Sequence, residues 1–292
     1  MGRGNTGFCI YYFNPYSRLI RFAWVKENTL SVSIVNYRSD LNMLKKTLST
    51  LNVAVRFSKL SSFLYVVEHS PSLAEMSKME DILPCWSAPY KSIVDASNPG
   101  FGAGHNQALQ TDAKYHLILN PDLEVAPDAL KNALEFMEQH PDCGLLTPFA
   151  TWEDGEVQRL CKRYPTVFDL LLRGFAPAFV KKLFLARLAK YEMAEHLNND
   201  DVLWDPPIVS GCFMLFRTDV LQQLGGFDPR FFLYFEDFDI SLRAGKISRI
   251  AYVPQVKVVH HGGHASRKGW RHIWMFGRSM VTFFNIHGWR WW

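Results

Sequence analysis

Four short runs of β-prone apolar residues, each ending in polar residues, constrain this chain more than any other feature. Ser31-Val-Ser-Ile-Val-Asn-Tyr37 ends on Asn36 and Tyr37. Phe63–Val67 stops at Glu68-His69, and Ser92–Val94 leads into Asp95 and Asn98. Tyr115–Leu119 breaks at Asn120-Pro121-Asp122. Helical spacing appears between them: Leu41, Leu44, Leu48 and Leu51 follow Asp40, a natural N-cap. Further helices are expected over about 105–111 and over about 127–140, the latter opening on Pro127, where a missing N–H costs nothing. The strands are apolar throughout rather than alternating. That pattern belongs to a mostly parallel α/β sheet covered on both faces, with ligands at the carboxyl ends of the strands.

Beyond residue 150 the order is looser. Residues 167–197 read as helical and are rich in Leu, Phe, Lys and Arg; strands resume over 208–217, a helix follows at 219–224, and Val256–Val259 reads as a last strand. With 292 residues, 48% hydrophobic and 21% charged, the chain is globular: one α/β domain with a helical C-terminal portion. A net charge of +4 with no single basic block argues against nucleic acid as a partner. Cys9, Cys85, Cys143, Cys161 and Cys212 are odd in number, widely spaced and free of any CxxC pair, which fits reduced thiols of a cytoplasmic protein. No apolar run reaches the roughly 18 residues of a spanning helix. Residues 1–29 mix Arg3, Arg18, Arg21 and Lys26 with aromatics; they lack a secretory h-region and read as an extension.

Four segments carry chemistry. Asn98-Pro-Gly-Phe-Gly-Ala-Gly-His-Asn106 is a glycine-rich link from strand to helix, able to bring backbone N–H groups to a diphosphate or to serve only as a turn. It lacks the GxGxxG spacing and follows the third strand, which disfavours a dinucleotide fold. Asp122, at a strand end, can hold a hard divalent cation, or Asn120-Pro121-Asp122 can simply end the strand. Glu236, Asp237 and Asp239 lie in an aromatic stretch, Phe231–Arg243. Crowded acids beside apolar groups shift one pKa upward, as a general base needs; the alternative is an acidic helix start paired with Arg243. His260, His261 and His264 follow the last strand, where one could join Asp122 at a metal.

Together these motifs, from about Ser31 to Ser266, resemble family-2 glycosyltransferases of the GT-A fold, the rhamnosyltransferase-like branch above all. SVSIVNY, NPGFGAGHN, LILNPD and GCFMLFR…GGFDPRFFLYFEDFDISLR stand in the family's order. The resemblance implies an inverting, metal-dependent transferase. Asn36 and Tyr37 would line the base and ribose pocket, with Glu68 where the family usually has an aspartate. Asn98, Gly100, Phe101, Gly102 and Asn106 would contact the donor. Asn120 and Asp122 match the Asp-x-Asp motif with its first acid replaced. His260 would complete the site for Mg2+ or Mn2+, and Asp237, with Glu236 beside it, would be the catalytic base. The implied donor is dTDP-L-rhamnose, and the implied acceptor is a glycan or glycolipid of the bacterial surface, met at the cytoplasmic face of the inner membrane.

The domain reading is therefore an extension over 1–29, a GT-A domain over 30–266 and a basic aromatic helix over 267–292. In that helix Arg267, Lys268, Arg271, Arg278 and Arg290 alternate with aromatics, so it can lie on an anionic membrane surface or pack its rings into the core. Two competing classes predict other features. A nucleotidyltransferase needs a glycine-rich loop after the first strand, where this chain has Asn36-Tyr37-Arg38-Ser39. An inactive glycan-binding protein would be expected to lose its acid cluster.

Overall fold

A computed structural model describes residues 29–70, 81–198, 200–262 and 269–292. Strands β1 (Leu30–Asn36), β2 (Ser62–Glu68), β3 (Tyr90–Val94) and β4 (Tyr115–Leu119) run parallel in the spatial order β3-β2-β1-β4. The order reverses between β1 and β4, which opens a crevice at their carboxyl ends. Next to β4 lies β11 (Phe213–Arg217), antiparallel to it and to β6 (Cys143–Thr151). β12 (Arg249–His260) runs parallel to β6, and β5 (Leu123–Val125) closes that edge antiparallel to β12. Short strands β7 (Val157–Gln158) and β9 (Leu203–Trp204) pair with β6 and β12. β8 (Cys161–Lys162) and β10 (Ile208–Val209) form a separate ribbon.

The helices are α1 (Leu41–Phe57), α2 (Phe101–Asn106), α3 (Ala129–Gln139), α4 (Val167–Phe175), α5 (Ala178–Leu183), α6 (Leu185–Tyr191), α7 (Thr218–Gln223), α8 (Glu236–Ala244) and α9 (Trp270–His287). All seven residues of β1 are buried. One sheet face packs on α1 and α3 through Leu44, Leu48, Leu130 and Met137. The other packs on α7, α8 and Phe227 through Leu145, Phe216 and Tyr252. A third apolar cluster, Val167, Leu170, Phe231, Phe235, Phe283 and Phe284, joins α4, α8 and α9 beside the sheet.

Asp40 caps α1 as its position predicts, accepting from the N–H groups of Asn42 (2.8 Å) and Met43 (3.3 Å). Other expectations need correction. The helix placed at 105–111 is α2, at 101–106, so the glycine-rich segment is itself helical. Gly102 faces Phe227, and a Cβ there would lie 2.6 Å from the Phe227 Cβ. These glycines let a helix approach, rather than leave a loop open. The 127–140 helix begins at Ala129, with Pro127 ahead of its cap. The continuous helix over 167–197 is three short helices, interrupted at Pro177 and Phe184. β3 is an exposed edge rather than a buried strand. β6 and the first half of β12 escape the apolar-run pattern because Pro148 and Pro254 interrupt it; β12 bulges between Val253 and Lys257 to accommodate the break. Residues 1–28, including Cys9, and His264, Arg267 and Lys268 lie outside the described residues. Cys85, Cys143, Cys161 and Cys212 are free thiols, and burial pushes the last three up to about 12.

A polar chain runs through the sheet. Ser31 Oγ is 2.7 Å from His116 Nδ1, and Ser33 Oγ is 2.8 Å from His116 Nε2 and 2.7 Å from His105 Nδ1. Both imidazoles are fully buried, and burial lowers the His116 pKa to about 4. The unfolded chain takes up that proton near the ordinary value of 6.5, the folded chain only near 4, so stability drains away as pH falls between the two. Urea denaturation should show a loss approaching about 3 kcal/mol from this group over that window. His116→Gln should flatten the slope; an unchanged slope would mean His116 is not the group responsible.

Candidate functional site

The turn after β4 carries Asp122 to the start of β5, which pairs with the carboxyl end of β12. Asp122 Oδ1 and His260 Nε2 lie 3.3 Å apart without hydrogen-bond geometry, and both atoms are buried and unpartnered. His260 Nδ1 donates to Gln158 Oε1 (2.8 Å), which leaves a lone pair on the Nε2 that faces Asp122. Gln158 Nε2 returns a bond to the His260 carbonyl (3.1 Å), so the pairing is fixed from both ends. Gly262 closes the cradle: a Cβ there would fall 1.9 Å from Asp122 Oδ2. Among the described residues no three ligating side chains converge. One carboxylate and one imidazole are a donor set that could hold a divalent cation. Asn120, just ahead of Asp122 in the chain, also has a buried and unpartnered Oδ1. His261 is engaged elsewhere: its Nε2 binds Glu124 (2.5 Å) and its Nδ1 binds Glu153.

The acids occupy the start of α8. Tyr234 and Phe235 precede them with φ of +70° and +65°, a left-handed pair that costs aromatic residues about 1–3 kcal/mol each. Packing holds the strain. Phe235 lies among Phe238 (5.0 Å between ring centroids), Phe276 (5.0 Å) and Phe283 (5.3 Å), and the Tyr234 hydroxyl is 2.8 Å from His272 Nδ1. The chain thereby turns Glu236 and Asp237 inward. Asp237 accepts from the Gly211 N–H (3.1 Å) and the Phe238 N–H (3.0 Å). Glu236 is buried and its Oε2 has no partner. Burial first, then the Asp237 charge, raises the Glu236 pKa well above its ordinary value. Burial also raises Asp237, but Lys162 and the two N–H bonds oppose it.

Lys162 is a residue the sequence did not reveal. It is buried on β8 with its ammonium 5.7 Å from the centre of the Phe238 ring. Burial lowers its pKa, and Asp237 is foremost among the groups that raise it again. The pair therefore splits: Asp237 is the carboxylate favoured in the ionised form, and Glu236 the one favoured as neutral acid. Asp239, the third acid, is structural. It is buried between Arg243 (2.7 Å) and His287 Nε2 (2.8 Å), so the ion-pair reading of the cluster holds for Asp239 alone.

One turn, Ser210-Gly211-Cys212, joins the halves. Gly211 N–H holds Asp237, and the Cys212 carbonyl accepts from Asn120 N–H (2.8 Å). The space above Gly211 is tight, since a Cβ there would meet the Asp237 Cβ at 3.2 Å and the Phe101 ring at 3.5 Å. Gly100, with φ +107°, brings Phe101 N–H onto the Phe232 carbonyl (3.0 Å). Asp122, His260, Asn120, Asp237, Glu236, Gly100 and Phe101 are thus brought together. Asn106 instead grips Phe227, donating to its carbonyl (2.7 Å) and accepting from its N–H (2.8 Å), while Gly102 faces the same residue. Glu68 accepts from Asn36 Nδ2 (2.5 Å) and Ser70 N–H (2.7 Å) at the ends of β1 and β2. Tyr37 beside them is exposed. Asn98, the first residue of the glycine-rich segment, sits with φ +46°.

Residues 28–271 match the family model described as "Glycosyltransferase like family 2", and the chain belongs to that family. A similar protein is the N-acetylglucosaminyl-diphospho-decaprenol L-rhamnosyltransferase of Mycobacterium tuberculosis (strain ATCC 25618 / H37Rv), 29% identical over 185 residues; the match covers 60% of this chain and 56% of that one. Rhamnosyltransferase WbbL of Escherichia coli (strain K12) is 24% identical over 213 residues, 68% of this chain and 76% of the other. The chain thus spans little more than half of the mycobacterial relative. Among solved structures, GalNAc-T7 with UDP, GalNAc and Mn2+ superimposes with a TM-score of 0.60 at 16% identity, over 81% of this chain and 43% of that one. The mannosyltransferase PcManGT from Pyrobaculum calidifontis, with GDP-Man and Mn2+, gives 0.56 at 14% identity, over 90% and 76%. These likenesses establish the expected GT-A fold.

Replacing Lys162 by methionine keeps the bulk and removes the charge. The titration midpoint of Asp237, followed by carboxyl carbon NMR, should then move upward. A midpoint that stays put would mean that the ammonium does not act on Asp237.

Proposed function

We propose that the chain is an inverting glycosyltransferase that uses Mg2+ or Mn2+ to move L-rhamnose from dTDP-L-rhamnose onto a hydroxyl of a lipid-carried bacterial surface glycan. The observation that carries this reading is the tying of Asp237 and of the Asn120–Asp122 strand end to successive residues of one turn, in a family-2 chain. Leaving-group and acceptor chemistry then have adjoining places. Two relatives named as rhamnosyltransferases support the choice of donor sugar, and the mycobacterial one's diphospho-decaprenol substrate supports a lipid-carried acceptor. The GT-A unit is residues 30–266, with 1–29 an extension and 267–292 a basic aromatic segment whose helix α9 packs against the turn that carries the acids.

In this mechanism Asp237 takes the proton of the acceptor hydroxyl as that oxygen bonds to the anomeric carbon. The bond from that carbon to the diphosphate oxygen breaks, and its electron pair leaves with the nucleoside diphosphate. One displacement inverts the centre. A bound cation supplies charge neutralisation for the departing diphosphate. Asp122 Oδ1 and His260 Nε2 would hold it, with Asn120, Gly100 and Phe101 on the donor side. Asn36, Tyr37 and Glu68 receive the nucleoside. Lys162 keeps Asp237 ionised despite burial, and Glu236, neutral, donates a hydrogen bond to the acceptor.

Asp237→Asn should cut transfer about a thousandfold and leave donor affinity intact, measured by product release and by calorimetry. An active Asn variant would remove Asp237 from the base position. The wild-type rate should fall as pH drops, with a midpoint above the ordinary carboxylate range, because protonating Asp237 removes the base. Gln158→Leu frees the His260 ring and should weaken Mn2+ binding about tenfold or more in the absence of donor. Equal Mn2+ affinity would show that Gln158 plays no part in setting the imidazole. A panel of dTDP-, UDP- and GDP-sugars tests the donor: turnover of a UDP- or GDP-sugar in place of dTDP-rhamnose overturns the rhamnosyl assignment and keeps the fold.

A further inference from the structure

The outer surface around α5 and α9 is not finished for water. A helix in a water-soluble domain is ordinarily stabilised by burying one face, yet α5 buries no side chain at all. Phe179 and Leu183, one turn apart on it, are 69% and 78% exposed. α9 is two-sided. Its inner face buries Phe283 and Phe284 and fixes Ser279 Oγ to the Leu233 carbonyl (2.8 Å), so the core reading of this helix holds for that face. Its outer face presents Trp270 and Trp274, one turn apart and 75% and 59% exposed. α4 packs between the two helices: the Phe175 ring meets Phe276, on the inner side of α9 with Phe235, edge-on (6.5 Å between centroids), and Phe168 lies 4.4 Å from the Trp292 ring.

The charge on this surface is one-sided. Residues 167–192 and 270–292 contain eight Lys or Arg and two acids, Asp169 and Glu192. Both acids are already paired, Asp169 with Arg187 (2.6 Å) and Glu192 with Arg173 (2.8 Å). The whole chain carries only +4, so the remainder is net acidic and the positive charge is gathered here. Exposed aromatics among basic residues match the boundary of an anionic bilayer, where rings enter the headgroup region and cations meet lipid phosphates. Among the described residues no helix is long and apolar enough to cross a membrane, so contact would be along the surface.

We propose that α5 and the outer face of α9 form one docking surface for an anionic phospholipid bilayer. The mid-chain helix α5 is as much a part of it as the C-terminal helix. The proposal rests on the lipid-carried acceptor for its purpose. α9 also packs against Tyr234 and Phe235, the residues that aim the acids, so docking would hold the acceptor side of the site at the lipid surface.

The test is co-sedimentation with vesicles of phosphatidylcholine alone and of phosphatidylcholine mixed with phosphatidylglycerol. The wild-type chain should pellet with the mixed vesicles and be released by salt. Phe179→Glu with Leu183→Glu, and separately Trp270→Glu with Trp274→Glu, should each weaken binding about tenfold. Val53→Glu with Phe57→Glu, at exposed positions of α1, should change nothing. No binding by wild type, equal binding to both vesicles, or undiminished binding by either surface pair would overturn the proposal. So would a lipid-free dimer that the same substitutions split, since a second copy would then be the occupant. Donor hydrolysis without lipid is the separate readout: it should survive the surface substitutions, and its absence from wild type would count against the transferase reading while leaving the vesicle result intact.

Discussion

Asp239 is a buried carboxylate, and the candidate site depends on how its charge is met. An isolated charge at that depth would cost several kcal/mol. Arg243 from the same helix and His287 from α9 both reach it. Arg243 spends its remaining N–H groups on the carbonyls of Leu224 and Gly226 (2.9 Å each). The next residue, Phe227, is held by Asn106 at the end of α2. One carboxylate therefore connects α8, α9 and the glycine-rich helix, three elements far apart in sequence that surround the acids. Breaking one partner would leave a buried charge and loosen all three.

Much of this is legible in the residues. Apolar runs with polar ends mark the strands β1, β2 and β4 and the side on which ligands sit. Asp40 marks a helix start because its carboxylate reaches backbone two and three residues on, a purely local act. Local chemistry cannot reveal Lys162, because its effect on Asp237 acts across 75 positions of sequence and only the β8–β10 ribbon brings it there. The same holds for Gln158 and His260, and for Gly211 beneath Asp237. The glycine-rich segment misleads for a related reason. Glycine in a sequence signals backbone freedom, but Gly102 and Gly104 are needed here because Phe227, His69 and Val35 press against a helix. Tolerance of a close neighbour and tolerance of a bent backbone look alike until the neighbour is known.

The two acids of α8 show environment setting role. Glu236 and Asp237 are adjacent and chemically alike, the first buried and the second half-buried. Asp237 has two backbone N–H groups and a nearby ammonium; Glu236 has a buried oxygen with nothing against it. The polypeptide separates the pair by a few contacts supplied from β8, the 210–212 turn and α8 itself. The strained Tyr234–Phe235 turn sets the direction of both, and aromatic packing from α9 keeps that turn in place.

The sheet order has a consequence for how the molecule is made. β4 and β6 are not neighbours; β11, emerging some sixty residues after β6, slides between them. On a ribosome both strands wait with unsatisfied edges, exposed to wrong pairing, until β11 and then β12 arrive. The polar His105–His116–Ser33 network belongs to the early half, whereas Asp237 and His260 come late. A nascent chain would thus acquire the β1–β4 scaffold long before Asp237 and His260 are made. Its vulnerable interval is the synthesis of residues 152–212, a stretch of short helices and two-residue strands of which only β7 pairs with β6, and only at its last two residues.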